Sequence, residues 1–378
     1  MYVVFVLLFI VLVLLVIEKY YIDKNVKKFK IRVHVNGTRG KSTVVRYIAS
    51  LLRQDGIKTF SKITGVVPSY FIDDTQPQII KRRGGARVTE QFKMISTASD
   101  YESKGLVLEC MSINPELQKL ESRVLKPHYY IITNIREDHL EDMGKTADEW
   151  VESICSAIPC NCVVITTETV HLNKIIEYAE KANSRVINAK KYELPEEVKN
   201  IEGLVEDNLR ITIALANELK IDPSKFLQNI PQFEEEVQEK SVLVNNYNVK
   251  FHNGFAINDV PSAEVFINEI KNKMQPDEKL VVLFNSRADR PLRSLRFAEM
   301  INNIKVDRCI LAGDNKQFTL KKLGKLGIDK NKIISWNTKQ CKSVKNNLAQ
   351  FIESNITLVG IGNIKGDGFK IINSLNNY

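Results

Sequence analysis

The chain has 378 residues, of which 44% are hydrophobic and 26% charged, with 54 Lys and Arg against 45 Asp and Glu for a net charge of +9. At roughly 100–200 residues per domain this length asks for two or three domains, and the mixture excludes a disordered tail, a collagen, a coiled-coil rod and a polytopic membrane protein. The positive balance favours an acidic partner (nucleotide, anionic polymer or membrane surface) without choosing among them.

Residues 1–17, MYVVFVLLFIVLVLLVI, contain no charge and no helix breaker. At about 1.5 Å per residue they form a helix at the short end of what crosses a bilayer. No Lys or Arg precedes the run and no small-residue cleavage motif follows it, which speaks against a cleaved signal peptide. Lys19, Lys24, Lys27, Lys28 and Lys30 crowd its C-terminal flank, and Tyr20 and Tyr21 suit the interface. The positive-inside bias then predicts a single-pass anchor in the cell membrane over 1–18, with the bulk of the protein cytoplasmic.

Residues 31–35 alternate as a short strand, and Val44–Leu52 read as a helix. Between them lies Asn36-Gly37-Thr38-Arg39-Gly40-Lys41-Ser42-Thr43. In that context backbone N–H groups cradle phosphates, Lys reaches the β/γ-phosphates and a hydroxyl holds Mg²⁺. A strict GxxxxGK[ST] loop would place Gly at 35, where this chain has Val35, so the loop is a narrower variant. Gly105–Glu109 is an apolar strand ending in a carboxylate. Tyr129–Asn134 is another, running into Ile135-Arg136-Glu137-Asp138-His139-Leu140. Three strand ends bearing such groups fit the rule that α/β sheets bind ligands at their carboxyl ends.

Further strands are expected at Val163–Thr166 and Arg185–Ile187, and a helix across Glu206–Lys220. The acidic stretch 232–240 reads as a hinge. After it, strands at Leu280–Asn285, Arg308–Gly313, Ile333–Trp336 and Ile356–Gly360 repeat the α/β rhythm. Val359–Gly366 has two glycines but lacks the spacing of a dinucleotide fingerprint, and reads as a tight strand-to-helix turn. The six cysteines form no CxxC pair, so idle thiols in a reducing compartment are expected rather than zinc.

The phosphate loop, the Leu108-Glu109 strand end and Thr133-Asn-Ile-Arg-Glu-Asp-His139-Leu together resemble the Mur ligase superfamily of ATP-dependent amide ligases. Four features narrow the resemblance to the catalytic subunits of poly-γ-glutamate synthases. They are the anchor, the early loop, Lys81-Arg82-Arg83-Gly84-Gly85-Ala86 with Glu90-Gln91, and Asn285-Ser-Arg287-Ala-Asp289-Arg290-Pro-Leu-Arg293-Ser. It covers residues 30–300 well and the remainder loosely. It implies an α/β fold: a Mur-ligase-like ATP-binding domain with a parallel sheet over 19–240, and a smaller α/β domain over 241–378.

The resemblance also assigns roles. Lys41 would contact the β/γ-phosphates within a nucleotide loop of Asn36, Gly37, Thr38, Arg39, Gly40, Lys41, Ser42 and Thr43. Ser42 or Thr43 would ligate a first Mg²⁺, which Glu109 would complete or bridge to a second, and His139 would bind the second. Asn208 falls near the adenine, and Arg287 or Arg290 would neutralise the transferring γ-phosphoryl group. Departures are Asp207, where relatives have His, the stretch Trp150–Cys155, which lacks the Lys that many relatives carboxylate, and Asn253, a candidate ribose contact. Implied partners are glutamate, a poly-γ-glutamate chain, small membrane subunits and the membrane, and no nucleic acid. The basic cluster Lys81, Arg82, Arg83 and Arg87 would meet the polymer's carboxylates. The competing readings are another ligase of the superfamily and a membrane-anchored P-loop ATPase that drives export or regulates capsule assembly without forming a bond. Glu109 with Asp138-His139, in place of a strand ending in Asp, favours ligation.

Overall fold

The computed structural model describes residues 2–376 apart from 66, 74–75, 83–85, 200–204, 232–238, 256, 258, 289, 337–347 and 365–366. Most of the expected hinge, Arg83, Asp289 and Cys341 therefore lie outside the described residues. The chain divides into two units, Met1–Pro231 and Gln232–Tyr378.

Unit 1 begins with α1 (Tyr2–Val26) and β1 (Ile31–Asn36), followed by α2 (Lys41–Gln54) and β2 (Thr59–Ile63). Two short strands, β3 (Ser69–Ile72) and β4 (Gln78–Ile79), precede α3 (Thr89–Asp100), β5 (Gly105–Glu109), α4 (Pro115–Leu125) and β6 (Tyr129–Ile132). Then come α5 (Leu140–Met143), α6 (Ala147–Cys155), β7 (Val163–Thr166), α7 (Leu172–Lys181) and β8 (Arg185–Asn188). The unit closes with α8 (Glu196–Lys199), α9 (Glu206–Leu219) and α10 (Ser224–Gln228).

Its sheet has the order β4-β3-β2-β5-β1-β6-β7-β8. The strands from β2 to β8 in that order run parallel, while β3 and β4 extend the edge antiparallel. β1 lies between β5 and β6, so its carboxyl end is flanked by theirs. Val33 and Val35 of β1 are fully buried, as are Val44, Val45, Ile48 and Leu52 along one stripe of α2. On the opposite face Met94, Ile95 and Ala98 of α3 and Leu125 of α4 cover Phe60, Leu106 and Leu108. Each such buried side chain contributes about 1.5–3 kcal/mol, which fixes β1, β2 and β5 relative to one another and aligns their ends.

α1 is longer than the expected anchor. Nothing in residues 18–26 breaks a helix, so it continues to Val26, and by length and hydropathy it is the one candidate membrane span among the described residues. Its N-terminal stretch is exposed, whereas Val26 and the following Phe29 are 1% exposed and join the core beneath α3. Lys28 Nζ donates to Ser99 Oγ at 2.6 Å, and Asp23 pairs with Lys126 at 2.6 Å.

In unit 2 the sheet order is β13-β12-β11-β14-β10-β9, formed by β9 (Glu239–Val244), β10 (Tyr247–Asn253), β11 (Lys279–Ser286), β12 (Arg308–Gly313), β13 (Ile333–Ser335) and β14 (Ile356–Ile361). All pairs are parallel except β9–β10, a hairpin. Asn245 and Asn246 turn it with φ of 50° and 67°, the left-handed pair that a two-residue hairpin loop requires. Because Glu239 and Lys240 pair with His252 and Phe251, the expected domain boundary after residue 240 cuts through β9. Of the acidic stretch read as a hinge, only these last two residues are described, and they belong to the strand. α11 (Val260–Lys273), α12 (Pro291–Ile304) and α13 (Lys316–Lys325) pack on one face, and α14 (Asp367–Asn376) contributes Ile371 to the core of the other. Gly360 lies inside β14, against the Phe255 ring, and Gly362, with φ 103°, makes the turn.

Candidate active site

The loop after β1 needs glycine twice. Gly37 has φ 119°, and a Cβ there would fall 2.2 Å from Thr133 Oγ1. Gly40 has φ 80°, and a Cβ would fall 2.6 Å from Asn208 Oδ1. Gly40 is the N-cap of α2; no side chain caps this end, and no acidic residue occupies its first turn. The first N–H groups of a helix carry partial positive charge, so this end suits an anion. Lys41 reaches back over the loop, donating to the carbonyls of Gly37 at 2.7 Å and Thr38 at 3.2 Å.

The carboxyl end of β5 meets the first turn of α2. Ser42 Oγ donates to Glu109 Oε2 at 2.7 Å. From the end of β2, the Thr64 N–H donates to Oε2 and its hydroxyl to Oε1, both at 2.8 Å. Glu109 is 4% exposed. Thr64 directly follows the mixed strand Thr-Phe-Ser-Lys-Ile of β2, which marks it with no signal of its own in the sequence. Thr43, beside Ser42, is 8% exposed.

The loop after β6 braces the loop after β1. The Thr38 N–H donates to the Asn134 carbonyl at 2.9 Å, and the Asn134 side chain accepts from the Arg39 N–H at 3.0 Å. The Arg136 N–H donates to Thr38 Oγ1 at 3.0 Å. Arg39 extends to Asp138 at 3.4 Å, and Asp138 accepts from the His139 N–H at 2.9 Å. His139 itself stands at φ 46°, ψ 51°, a left-handed conformation that is strained for a residue with a Cβ.

Two residues expected to contact nucleotide are turned inward. Asn36 donates to Gln118 at 2.8 Å and to the Tyr130 hydroxyl at 2.7 Å, and accepts from the Gly37 N–H at 2.8 Å. Both of its amide hydrogens are therefore used inside the protein, and it holds the loop from below. Thr38 spends its hydroxyl on Arg136 in the same way. Asn208, 5% exposed in the first turn of α9, packs on Gly40 at the end of the phosphate loop. Asp207 next to it pairs with Lys190 at 2.7 Å. Trp150–Cys155 falls in α6, whose Val151, Ile154 and Cys155 are core residues. Arg287 and Arg290 belong to unit 2, between the carboxyl end of β11 and the start of α12. Arg82 is committed to Glu90 through two bonds of 2.7 and 2.8 Å.

Behind Glu109 the ligand atoms of His34, Cys110 and Glu121 lie within 4.8 Å of one another, all buried. Glu121 already accepts from Gln91, from the N–H groups of Met111 and Ser112 and from the Ser112 hydroxyl, and its Oε2 lies 3.5 Å from His34 Nε2. Burial pushes the Cys110 thiol well up, which keeps it protonated. The group is a buried imidazole–carboxylate contact beside an inert thiol.

The Mur ligase middle domain matches residues 35–222, the span from β1 through α9 that carries this geometry. The chain belongs to the Mur ligase family. The C-terminal domain of the poly-gamma-glutamate synthase CapB matches residues 239–378, starting where β9 starts. The PGA synthase CapB of Bacillus subtilis (strain 168) is 28% identical over 378 residues, spanning 98% of this chain and 96% of its own length. The capsule biosynthesis protein CapB of Bacillus anthracis is 29% identical over 375 residues, spanning 93% and 78%. Among solved structures, E. coli FolC in complex with ADP has a TM-score of 0.64 at 13% identity, over 95% of this chain and 93% of that one. A bifunctional folylpolyglutamate synthase/dihydrofolate synthase with Mn, AMPPNP and L-glutamate bound has a TM-score of 0.66 at 11% identity, over 94% and 92%. At these identities the solved structures share the Mur ligase fold with this chain.

Proposed function

We propose that this Mur ligase family member is an ATP-dependent, ADP-forming amide ligase that activates a glutamate γ-carboxylate as an acyl phosphate. It joins that carboxylate to the amine of another glutamate, extending poly-γ-glutamate for a capsule or secreted polymer. The observation that carries the reading is the Glu109 carboxylate held by Ser42 at an uncapped helix start behind a two-glycine loop. Its substrate is supported by the near-full-length likeness to relatives named PGA synthase and capsule biosynthesis protein.

A carboxylate is a poor electrophile, since resonance stabilises it and oxide is a poor leaving group. Phosphorylation by the ATP γ-phosphoryl group, releasing ADP, gives an acyl phosphate. Attack by the amine then forms the amide and expels phosphate. Positioning and charge neutralisation supply most of the catalysis in the first step. Lys41 and the α2 N–H groups would hold the phosphates, with Asn208 against the last glycine of the loop. The role of Arg287 and Arg290 on the transferred group rests on the Asn285–Ser294 stretch itself. Hydroxyl and carboxylate oxygens meeting at one point fit a hard divalent cation. Ser42, Thr43, Glu109 and His139 would hold Mg²⁺, whose charge reduces repulsion between a carboxylate and a polyanionic nucleotide. Asn36 and Thr38 act by holding the loop. The apolar stretch of α1 supports attachment to the membrane, with the enzyme on the cytoplasmic side beside small membrane subunits.

The test is to incubate membranes containing the protein and its partner subunits with ATP, Mg²⁺, glutamate and hydroxylamine, which traps acyl phosphates as hydroxamates. Hydroxamate should form only with both ATP and glutamate or its polymer, and should vanish in Lys41→Ala. Conversion of ATP to ADP with neither hydroxamate nor γ-linked polymer would leave an export ATPase as the better reading.

A further inference from the structure

On the face of the sheet covered by α3 and α4, directly behind Glu109, lies a layer of buried polar and charged groups that the chemistry above leaves unused. Lys62 is 0% exposed, Glu121 2% and Gln91 3%. Gln91 is the hub. Its Nε2 donates to the main-chain carbonyl of Glu109 at 2.9 Å and to Glu121 Oε2 at 2.7 Å, and its Oε1 accepts from Lys62 Nζ at 2.9 Å. Both amide hydrogens are spent. Lys62 also pairs with Glu90 at 2.8 Å, which Arg82 grips from outside. Glu121 in turn accepts from the N–H of Met111 at 3.2 Å and of Ser112 at 2.9 Å. The run Arg82–Glu90–Lys62–Gln91–Glu121 therefore seizes the main chain at residue 109 and again at 111–112.

Stability does not account for such a layer. Buried ion pairs roughly break even against well-packed apolar side chains of the same volume, which would serve a core as well or better. What distinguishes this layer is where it touches the chain: at the main chain of Glu109, whose carboxylate Ser42 and Thr64 hold from the opposite side. A carboxylate is a precise ligand only if its backbone cannot shift, and outer groups that orient ligands tune affinity accordingly.

We propose that Gln91, backed by Lys62 and Glu121, is the positioning residue for the Glu109 carboxylate, so that the α3–α4 layer sets the affinity of the divalent-metal site. The proposal rests on Glu109 being a metal ligand. Gln91→Met keeps the volume but loses all three bonds. Mg²⁺ titrations of ATP turnover by the full chain in detergent should show the half-saturating Mg²⁺ concentration raised about tenfold or more, with the rate largely restored at high Mg²⁺. A merely structural role would lower the melting temperature and the active fraction at every Mg²⁺ concentration, leaving the midpoint in place. Should Gln91→Met not fold, Glu121→Gln, which keeps the shape but weakens the grip on Met111 and Ser112, is read the same way. Wild type and Glu109→Ala run alongside. Turnover indifferent to Mg²⁺ in wild type, or a Mg²⁺ curve unmoved by Glu109→Ala, overturns the metal reading and this proposal with it. A Glu109→Ala variant that loses its Mg²⁺ response, beside Gln91→Met and Glu121→Gln variants with wild-type midpoints, overturns the positioning role alone.

Discussion

Lys41 rests on two carbonyls of its own loop, so replacing it removes charge from the proposed phosphate site without opening the core. Lys41→Ala should lower ATP turnover at least about 100-fold, the scale of losing one preorganised donor, with an unchanged circular dichroism spectrum. Glu90 gives a pH signature. Burial pushes its carboxyl up, but bonds to Arg82 and Lys62 outweigh this and hold it below its ordinary value of 4.5; Glu121 is likewise held down, by His34, Gln91 and Ser112. A carboxylate depressed in the folded state contributes stability that is fully present above its unfolded value and lost as pH falls through the folded one. The melting temperature should therefore drop as pH falls below about 4.5, and Glu90→Gln should flatten that drop while costing roughly 3 kcal/mol at neutral pH. A slope equal to wild type would remove Glu90 from the acid response. At this scale the sequence displayed the groups on which the proposed chemistry rests, Lys41, Ser42, Glu109 and His139. Thr64 stayed hidden, and Gln91 stood out only as part of the Glu90-Gln91 feature with no role attached, because an amide or hydroxyl acquires its role only from the groups that folding brings to it.

Elements differ in how their ends are finished. α2 starts uncapped, while α4 starts at Asn114, which accepts from the N–H groups of Glu116 and Leu117. α4 carries Glu121 and Gln118, and its cap contributes to the stability of the helix that holds them. Asn114→Ala should cost about 1 kcal/mol in urea unfolding. α1 has two parts with separable effects. Phe29→Ala, just beyond its end, empties a core position and should cost about 3–5 kcal/mol, whereas deletion of residues 2–17 should leave unit 1 as stable as before and move the protein from the membrane fraction to the supernatant. Retention in the membrane after that deletion would put the attachment elsewhere. Apolar strands such as β5, β7 and β12 were legible to within a residue, because their burial on both faces writes itself as continuous hydrophobicity. β3 and β4, the antiparallel strands at the end of the sheet, mix Ser, Tyr and Gln with apolar residues and carry no such signal.

For the whole molecule, the two units have separate sheets and separate hydrophobic clusters. Arg290→Ala, at the head of α12, should lower turnover about 10³-fold while ADP binding measured by calorimetry persists; loss of binding instead would make it a nucleotide contact. Sequence alone determined the α/β class, the apolar N-terminal stretch, the two-glycine loop between β1 and α2 and the acidic end of β5, since each is local and needs only its neighbours in the chain. Tertiary structure alone decided that residues 239–240 belong to a hairpin of unit 2, that Asn36 and Thr38 face inward, and that Glu90-Gln91 stands behind Glu109. Those outcomes depend on pairings and hydrogen bonds between residues 11 to 98 positions apart, which no local pattern encodes, and on the rule that a buried polar group takes whichever partner the fold sets beside it.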